Sequence, residues 1–306
     1  NLNYIESYAL YACTNAKFAL TSSNHLYSSN IKVLIMLTFI PTPIGNPQDI
    51  TIRAMKLFEK AELFLCEDTR QTKRLLRLLE ERFDMAYPEA EFYSFNEHNG
   101  QERLDEFGSS LEGKEVVYVS DAGMPVISDP GQILVKYAQE HGIPYDVLPG
   151  PSAVTTAYAA SGFEEGKFLF YAFLPHKGKE RSTALSEAMS NGYNTVLYEA
   201  PHRLEKLLSE ILILDEDREL FLAKEISKKY QNYYRGTAKS LNEQFKELTI
   251  RGEWVVIIRA QKSIEKSLTF TELLTLDLPP KPKAKLLALL SDISVKEWYS
   301  KLIKST

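Results

Sequence analysis

The sequence predicts an α/β protein of two domains followed by a small helical extension. Three observations carry that expectation. From Met36 onward, short β-rich apolar runs alternate with polar turns and amphipathic stretches, the pattern of a sheet covered on both faces. The alternation breaks at Leu148-Pro149-Gly150-Pro151-Ser152-Ala153, where two prolines flank a glycine and continue neither strand nor helix. After about Ala260 the pattern is helical only.

Taken in order, the strands expected in the first half are Leu37–Ile40, Leu63–Cys66, Phe92–Phe95, Val116–Val119 and Tyr145–Leu148. Between them, Ile52–Ala61 and Thr72–Glu81 carry Leu or Ile at helical spacing, so a mostly parallel sheet follows. Ser152 is a natural N-cap for the apolar segment after the break. The second half has strands at Phe168–Phe173, Thr195–Tyr198, Leu220–Ala223, Asn232–Arg235 and Trp254–Arg259, and its late pair of strands suggests a mixed sheet. The tail reads as two helical pieces hinged at Pro279-Pro280-Lys281-Pro282. The expected domains are 36–149 and 150–262, with 263–306 a helical tail. Residues 1–35 contain no methionine, no firm apolar core and no clear period, and read as an extension outside the core.

With 306 residues the chain is comfortable for two domains, and 44% hydrophobic with 25% charged residues is a globular composition. No run of about eighteen apolar residues exists, so a membrane span is not expected. Cys13 and Cys66 lie far apart and only five histidines occur, none paired at zinc spacing. A reduced, cytoplasmic protein without a metal is the expectation. A net charge of −5 argues against coating nucleic acid along the whole surface and leaves local basic patches open.

The chemistry is expected at the strand ends, because ligands of α/β sheets bind outside the carboxyl edges of strands. Polar clusters follow six strands: Pro41–Asn46, Glu67–Arg70, Asn96–Asn99, Ser120–Pro125, Glu199–Arg203 and Lys224–Lys229. Singly, each has a structural explanation. Asp68 and Ser120 serve as helix caps, Glu67 and Arg70 as a surface ion pair, and the prolines as strand stops. Six at one kind of edge exceed what caps require, and two crowded edges imply a cleft between two domains.

These segments resemble a known family. Thr42-Pro43-Ile44-Gly45-Asn46, Glu67-Asp68-Thr69-Arg70, Glu97-His98-Asn99, Ser120-Asp121-Ala122-Gly123-Met124-Pro125, Ser128-Asp129-Pro130-Gly131, Pro149-Gly150-Pro151-Ser152-Ala153 and Glu199-Ala200-Pro201-His202-Arg203 occur in the same order in ribosomal RNA small subunit methyltransferases I, a branch of the tetrapyrrole-methylase superfamily. The resemblance runs from about Met36 to Ala260, and the Lys-rich tail is similar to the family's C-terminal extension. It implies the two-domain class III methyltransferase fold and a homodimer. It also implies S-adenosylmethionine in the interdomain cleft, and methylation of a cytidine ribose 2′-hydroxyl in the decoding region of 16S ribosomal RNA. Met124 stands where the family commonly has threonine, and Pro47 and Gln48 alter the turn after Asn46.

A sulfonium cation, an amino-acid end and an adenine must be held. Gly45 and Gly123 admit close backbone approach, Ser120–Met124 offer backbone groups to the amino-acid end, and Asp121 offsets positive charge. Ser152 heads a helix whose amides favour a carboxylate, and Tyr198, Ala200 and Pro201 wall a flat ring. The expected donor site is Pro43, Ile44, Gly45, Ser120, Asp121, Ala122, Gly123, Met124, Ser128, Ser152, Ala153, Tyr198, Glu199, Ala200 and Pro201. An alcohol acceptor calls for a base, and the candidates are His98, Asp68, Glu199, Lys224 and Glu225. RNA phosphates are expected at Arg70 and Arg203, on the loop carrying Lys177, Lys179 and Arg181, and at Lys228 and Lys229. Lys281, Lys283 and Lys285 make a further basic patch. The rival readings are a tetrapyrrole or corrin methylase on the same fold, which typically opens with a glycine-rich first loop, and a non-catalytic RNA-binding protein, which has no need of cofactor loops.

Overall fold

A computed structural model describes residues 36–96, 99–107, 113–129, 131–261 and 269–304. The expected extension 1–35 and the candidate His98 lie outside the described residues. The chain divides into two compact units between Pro151 and Ser152.

The first unit holds strands β1 (Met36–Phe39), β2 (Leu63–Cys66), β3 (Glu91–Ser94), β4 (Glu115–Val119) and β5 (Tyr145–Val147). They form one sheet in the order β3-β2-β4-β1-β5, and every recorded pairing is parallel. Alternation along the strands feeds two cores. Leu37, Phe39, Leu65 and Tyr118 join Leu134 and Ala138 on one face. Ile40, Phe64, Val117 and Val119 join Phe58, Leu76 and Leu79 on the other. Helices therefore cover both faces, as a parallel sheet requires.

The helices start where side chains satisfy free amides. Thr51 accepts from the Ala54 amide ahead of α1 (Ile52–Lys60), and Asp68 accepts from the Arg70 amide ahead of α2 (Thr69–Phe83). After α3 (Gly100–Phe107), Asp129 accepts both the Gly131 amide and the Tyr118 hydroxyl. That contact starts α4 (Gly131–His141) and moors the loop after β4.

The second unit opens with α5 (Ala153–Ser161) and contains β6 (Phe168–Phe173), α6 (Gly178–Ser190), β7 (Asn194–Glu199), α7 (Pro201–Leu214), β8 (Glu219–Lys224), β9 (Asn232–Thr237), α8 (Ala238–Phe245) and β10 (Trp254–Ile258). The sheet order is β6-β7-β10-β8-β9, mixed as expected. β6 and β7 run parallel, while β10 is antiparallel to β7 and β8. Hence β6, β7 and β8 present their carboxyl ends at one edge.

The tail differs from expectation. Its described residues form three helices, α9 (Phe270–Thr275), α10 (Pro280–Leu289) and α11 (Val295–Lys304). Pro280 is no hinge but occupies the first turn of α10, where a missing amide costs nothing. The unexpected break falls at 290–294, where Ser294 and Glu297 exchange capping bonds and start α11.

Candidate functional site

In the first unit the loops after three neighbouring strands are stitched together. Thr42, beyond β1, exchanges two backbone hydrogen bonds with Gly123, beyond β4, each 3.0 Å. The Thr42 hydroxyl donates to the Ser120 carbonyl at 3.2 Å. The Asp121 amide donates to Glu67 Oε2 at 3.2 Å, and the Asp68 amide to Asp121 Oδ1 at 3.1 Å. Ser120, Asp121 and Gly123 are thus brought together with Ile44 by bonds that use Thr42 and Glu67.

Gly123 adopts φ +83°, and a Cβ there would lie 3.2 Å from Ile44 Cγ2. Val126 (φ 73°) and Ser128 (φ 66°) in the same loop are also left-handed, a conformation that a β-branched residue adopts only under constraint. The buried Ser120 hydroxyl finds no hydrogen-bond partner among the described residues, and an unsatisfied buried polar group is costly. A strained loop with one orphaned hydroxyl and a Cβ-free position is suited to a polar ligand.

Charge at this edge is uneven. A hydrogen bond from the Arg70 side chain holds the Asp68 carboxyl at about 2, which makes it a poor proton acceptor. Burial pushes the Asp121 carboxyl up. Arg70 itself points into solvent while paired to Asp68 at 2.7 Å, so the ion pair is with Asp68 and not with Glu67.

In the second unit two expected phosphate contacts prove internal. Arg181 is 1% exposed. Its Nε donates to Glu210 at 2.8 Å, its Nη2 to Glu199 at 3.3 Å and its Nη1 to the Pro175 carbonyl at 3.2 Å. It occupies the buried face of α6 with Ala184, Leu185 and Ala188, which removes it from the exposed loop to which the sequence reading assigned it. Arg203 Nη2 donates to the carbonyls of Leu174 (2.7 Å) and Pro175 (3.3 Å). Its Nε lies 3.0 Å from Glu199 Oε1 in an ion pair too bent to be a hydrogen bond. Glu199 also accepts the Ala200 amide. Sealed and doubly paired, Glu199 is a structural anion and not a free base.

Lys224 lies over the Trp254 ring at 5.6 Å. Burial pushes the Glu225 carboxyl up, but the Glu253 amide and the Lys228 ammonium outweigh it and leave it below the usual range. Lys228 is engaged with Glu225 and Glu253, at 3.2 and 2.9 Å, whereas Lys229, Lys177 and Lys179 are exposed. Lys283 is also committed, donating to the Leu274 and Leu276 carbonyls.

Tyr198 stands between Phe170 (5.1 Å) and Phe173 (5.4 Å), and burial lifts its hydroxyl to about 12. Pro201 begins α7 after Ala200. Ser152 takes the N-cap position of α5 without a side-chain cap bond. The sequence reading missed Thr42, Glu67, Phe170, Phe173 and Glu210. A signal existed for Thr42 and Glu67, which sit inside the polar strand-end runs.

A parallel sheet with stitched carboxyl-edge loops, joined to a mixed sheet, defines the class, and the chain belongs to the tetrapyrrole (corrin/porphyrin) methylases, whose family model matches residues 36–242. Within that class it is similar to ribosomal RNA small subunit methyltransferase I of Helicobacter pylori, 45% identical over 277 residues that cover 86% of this chain and 96% of that one. The Thermotoga maritima protein of the same name is 42% identical over 227 residues, covering 74% and 99%. Among solved structures, cobalt precorrin-4 methyltransferase superposes with a TM-score of 0.54 at 20% identity, covering 74% of this chain and 95% of that one. Diphthine synthase gives 0.55 at 15%, covering 74% and 90%. These two likenesses establish the fold.

Proposed function

We propose that the chain transfers a methyl group from S-adenosylmethionine to a cytidine ribose 2′-hydroxyl in the decoding region of 16S ribosomal RNA, as a cytoplasmic homodimer acting on the small ribosomal subunit. The names of its relatives support the ribosomal substrate. The observation that carries the donor half is the loop Ser120–Gly123, where an orphaned hydroxyl and a left-handed glycine meet.

S-adenosylmethionine supplies an electrophilic methyl group on a sulfonium. For that donor, Ser120 offers its free hydroxyl, Gly123 an uncovered backbone, and Asp121 a carboxylate against positive charge. In the second unit, Tyr198, Ala200 and Pro201 follow closely at the end of β7, residue types suited to a flat ring. Exposed Lys177, Lys179, Lys229 and Arg70 supply phosphate contacts. Of the base candidates among the described residues, the carboxylates Asp68, Glu199 and Glu225 are each held by a cationic partner, and positioning of the acceptor alone is worth up to about 7–11 kcal/mol.

The testing experiment supplies labelled methyl donor together with small ribosomal subunits or uroporphyrinogen. Label entering the subunits supports the reading. Label entering only the tetrapyrrole overturns the acceptor and leaves the donor site standing.

A further inference from the structure

We infer that Arg181, Glu199 and Arg203 are positioning residues that fix the basic loop between β6 and α6 for contact with the acceptor RNA; this rests on the RNA reading above. β6 ends at Phe173, and the next two carbonyls, of Leu174 and Pro175, are held by guanidinium groups from two separate helices. Glu199 lies between the arginines and pairs with both, and Glu210 completes the set.

One buried and one largely covered guanidinium and two carboxylates cancel in charge, so the knot itself attracts no phosphate. Buried ion pairs of this kind add little stability over apolar residues of equal volume. Their distinct effect is directional, since a planar fork bonds carbonyls and carboxylates only at set angles. The loop so held carries His176 and Lys177, and Lys179 follows in the first turn of α6; all three are exposed and without an ion pair among the described residues. Its lysines are long and mobile, so a fixed backbone reduces the entropy lost when they meet a phosphate.

The test compares Arg203→Lys and Arg181→Lys with Lys177→Ala/Lys179→Ala in the full chain. Lysine keeps the charge but cannot span the three groups that either arginine engages. Both single variants should raise the KM for small ribosomal subunits about tenfold. The kcat, the KM for S-adenosylmethionine and the slope of log affinity against log salt should stay level. The double alanine variant should instead flatten that slope by about one per lost phosphate contact. Folding is checked by urea unfolding, and Arg203→Lys is the variant expected to fold, because Arg203 is the less buried arginine. A folded Arg203→Lys with native KM for subunits overturns the positioning role while a flattened slope in the double variant preserves the RNA reading. A native slope and KM in the double variant overturns the RNA surface itself, and the inference with it.

Discussion

Arg181 Nη2 sits 3.3 Å from Glu199 Oε2, with both side chains all but sealed from water. Two motifs eighteen residues apart in the chain, the basic loop and the Glu199–Arg203 turn, are therefore one structural unit.

Arg181→Met leaves the buried Glu199 with Arg203 alone and Glu210 with Lys206 alone, and should destabilise the protein by about 3 kcal/mol in urea unfolding. Lys177→Ala, on the exposed loop just before α6, should stay within about 0.5 kcal/mol. Equal small effects would contradict the burial of Arg181.

Gly123→Val places a branched side chain at φ +83° against Ile44, with strain of about 1–3 kcal/mol. Affinity for S-adenosylmethionine should fall at least about a hundredfold, ~2.7 kcal/mol, in a variant that still unfolds cooperatively. Calorimetric titration with native affinity would place the donor elsewhere.

Ala172 follows the bulge at Tyr171 in β6 and has φ 60°. The left-handed conformation costs an L residue about 1–2 kcal/mol and glycine's extra chain entropy about 0.5–1 kcal/mol, so Ala172→Gly should stabilise by about 0.5–1 kcal/mol. A lowered thermal midpoint would show that the alanine methyl makes packing that outweighs the strain.

Asp68 is depressed from 3.8 to about 2 by Arg70. A depressed carboxyl contributes stability that is present above its unfolded pKa and lost as pH falls through the folded one. The contact should therefore fade between about pH 4 and pH 2, and carbon-detected NMR titration should find the midpoint near the lower end. In Arg70→Ala the midpoint should rise yet stay below the ordinary range, because the backbone amides of residues 70 and 71 still donate to Asp68, and no rise would remove the Arg70 side chain as the main cause.

Much of the first unit was legible because its strands are short apolar runs and its helices open on Thr51 and Asp68, both strong local signals. The donor loop was legible as a polar run at a strand end, although the Thr42–Gly123 pairing depends on β1 and β4 lying side by side, a nonlocal fact. Arg181 was misread because Lys-Gly-Lys-Glu-Arg has the composition of a solvated turn. Its spacing of three, four and seven to Ala184, Leu185 and Ala188 already placed it on the apolar face of a helix. Arg203 gave less warning: Glu199, four residues before it, is its ion-pair partner, but the two carbonyls it holds come from another element. The tail break at 290–294 was missed because the prolines at 279–282 drew the boundary, though Ser294 and Glu297 spell a capping box.

The central claim is methyl transfer to a cytidine ribose in small-subunit RNA, and the most direct measurement is the position of the transferred methyl. Small subunits lacking the modification are incubated with the protein and labelled S-adenosylmethionine, and their RNA is digested to nucleosides and resolved by mass. The prediction is label in 2′-O-methylcytidine, abolished by Gly123→Val. Label on a base, or none in RNA while native protein binds the donor, would contradict it.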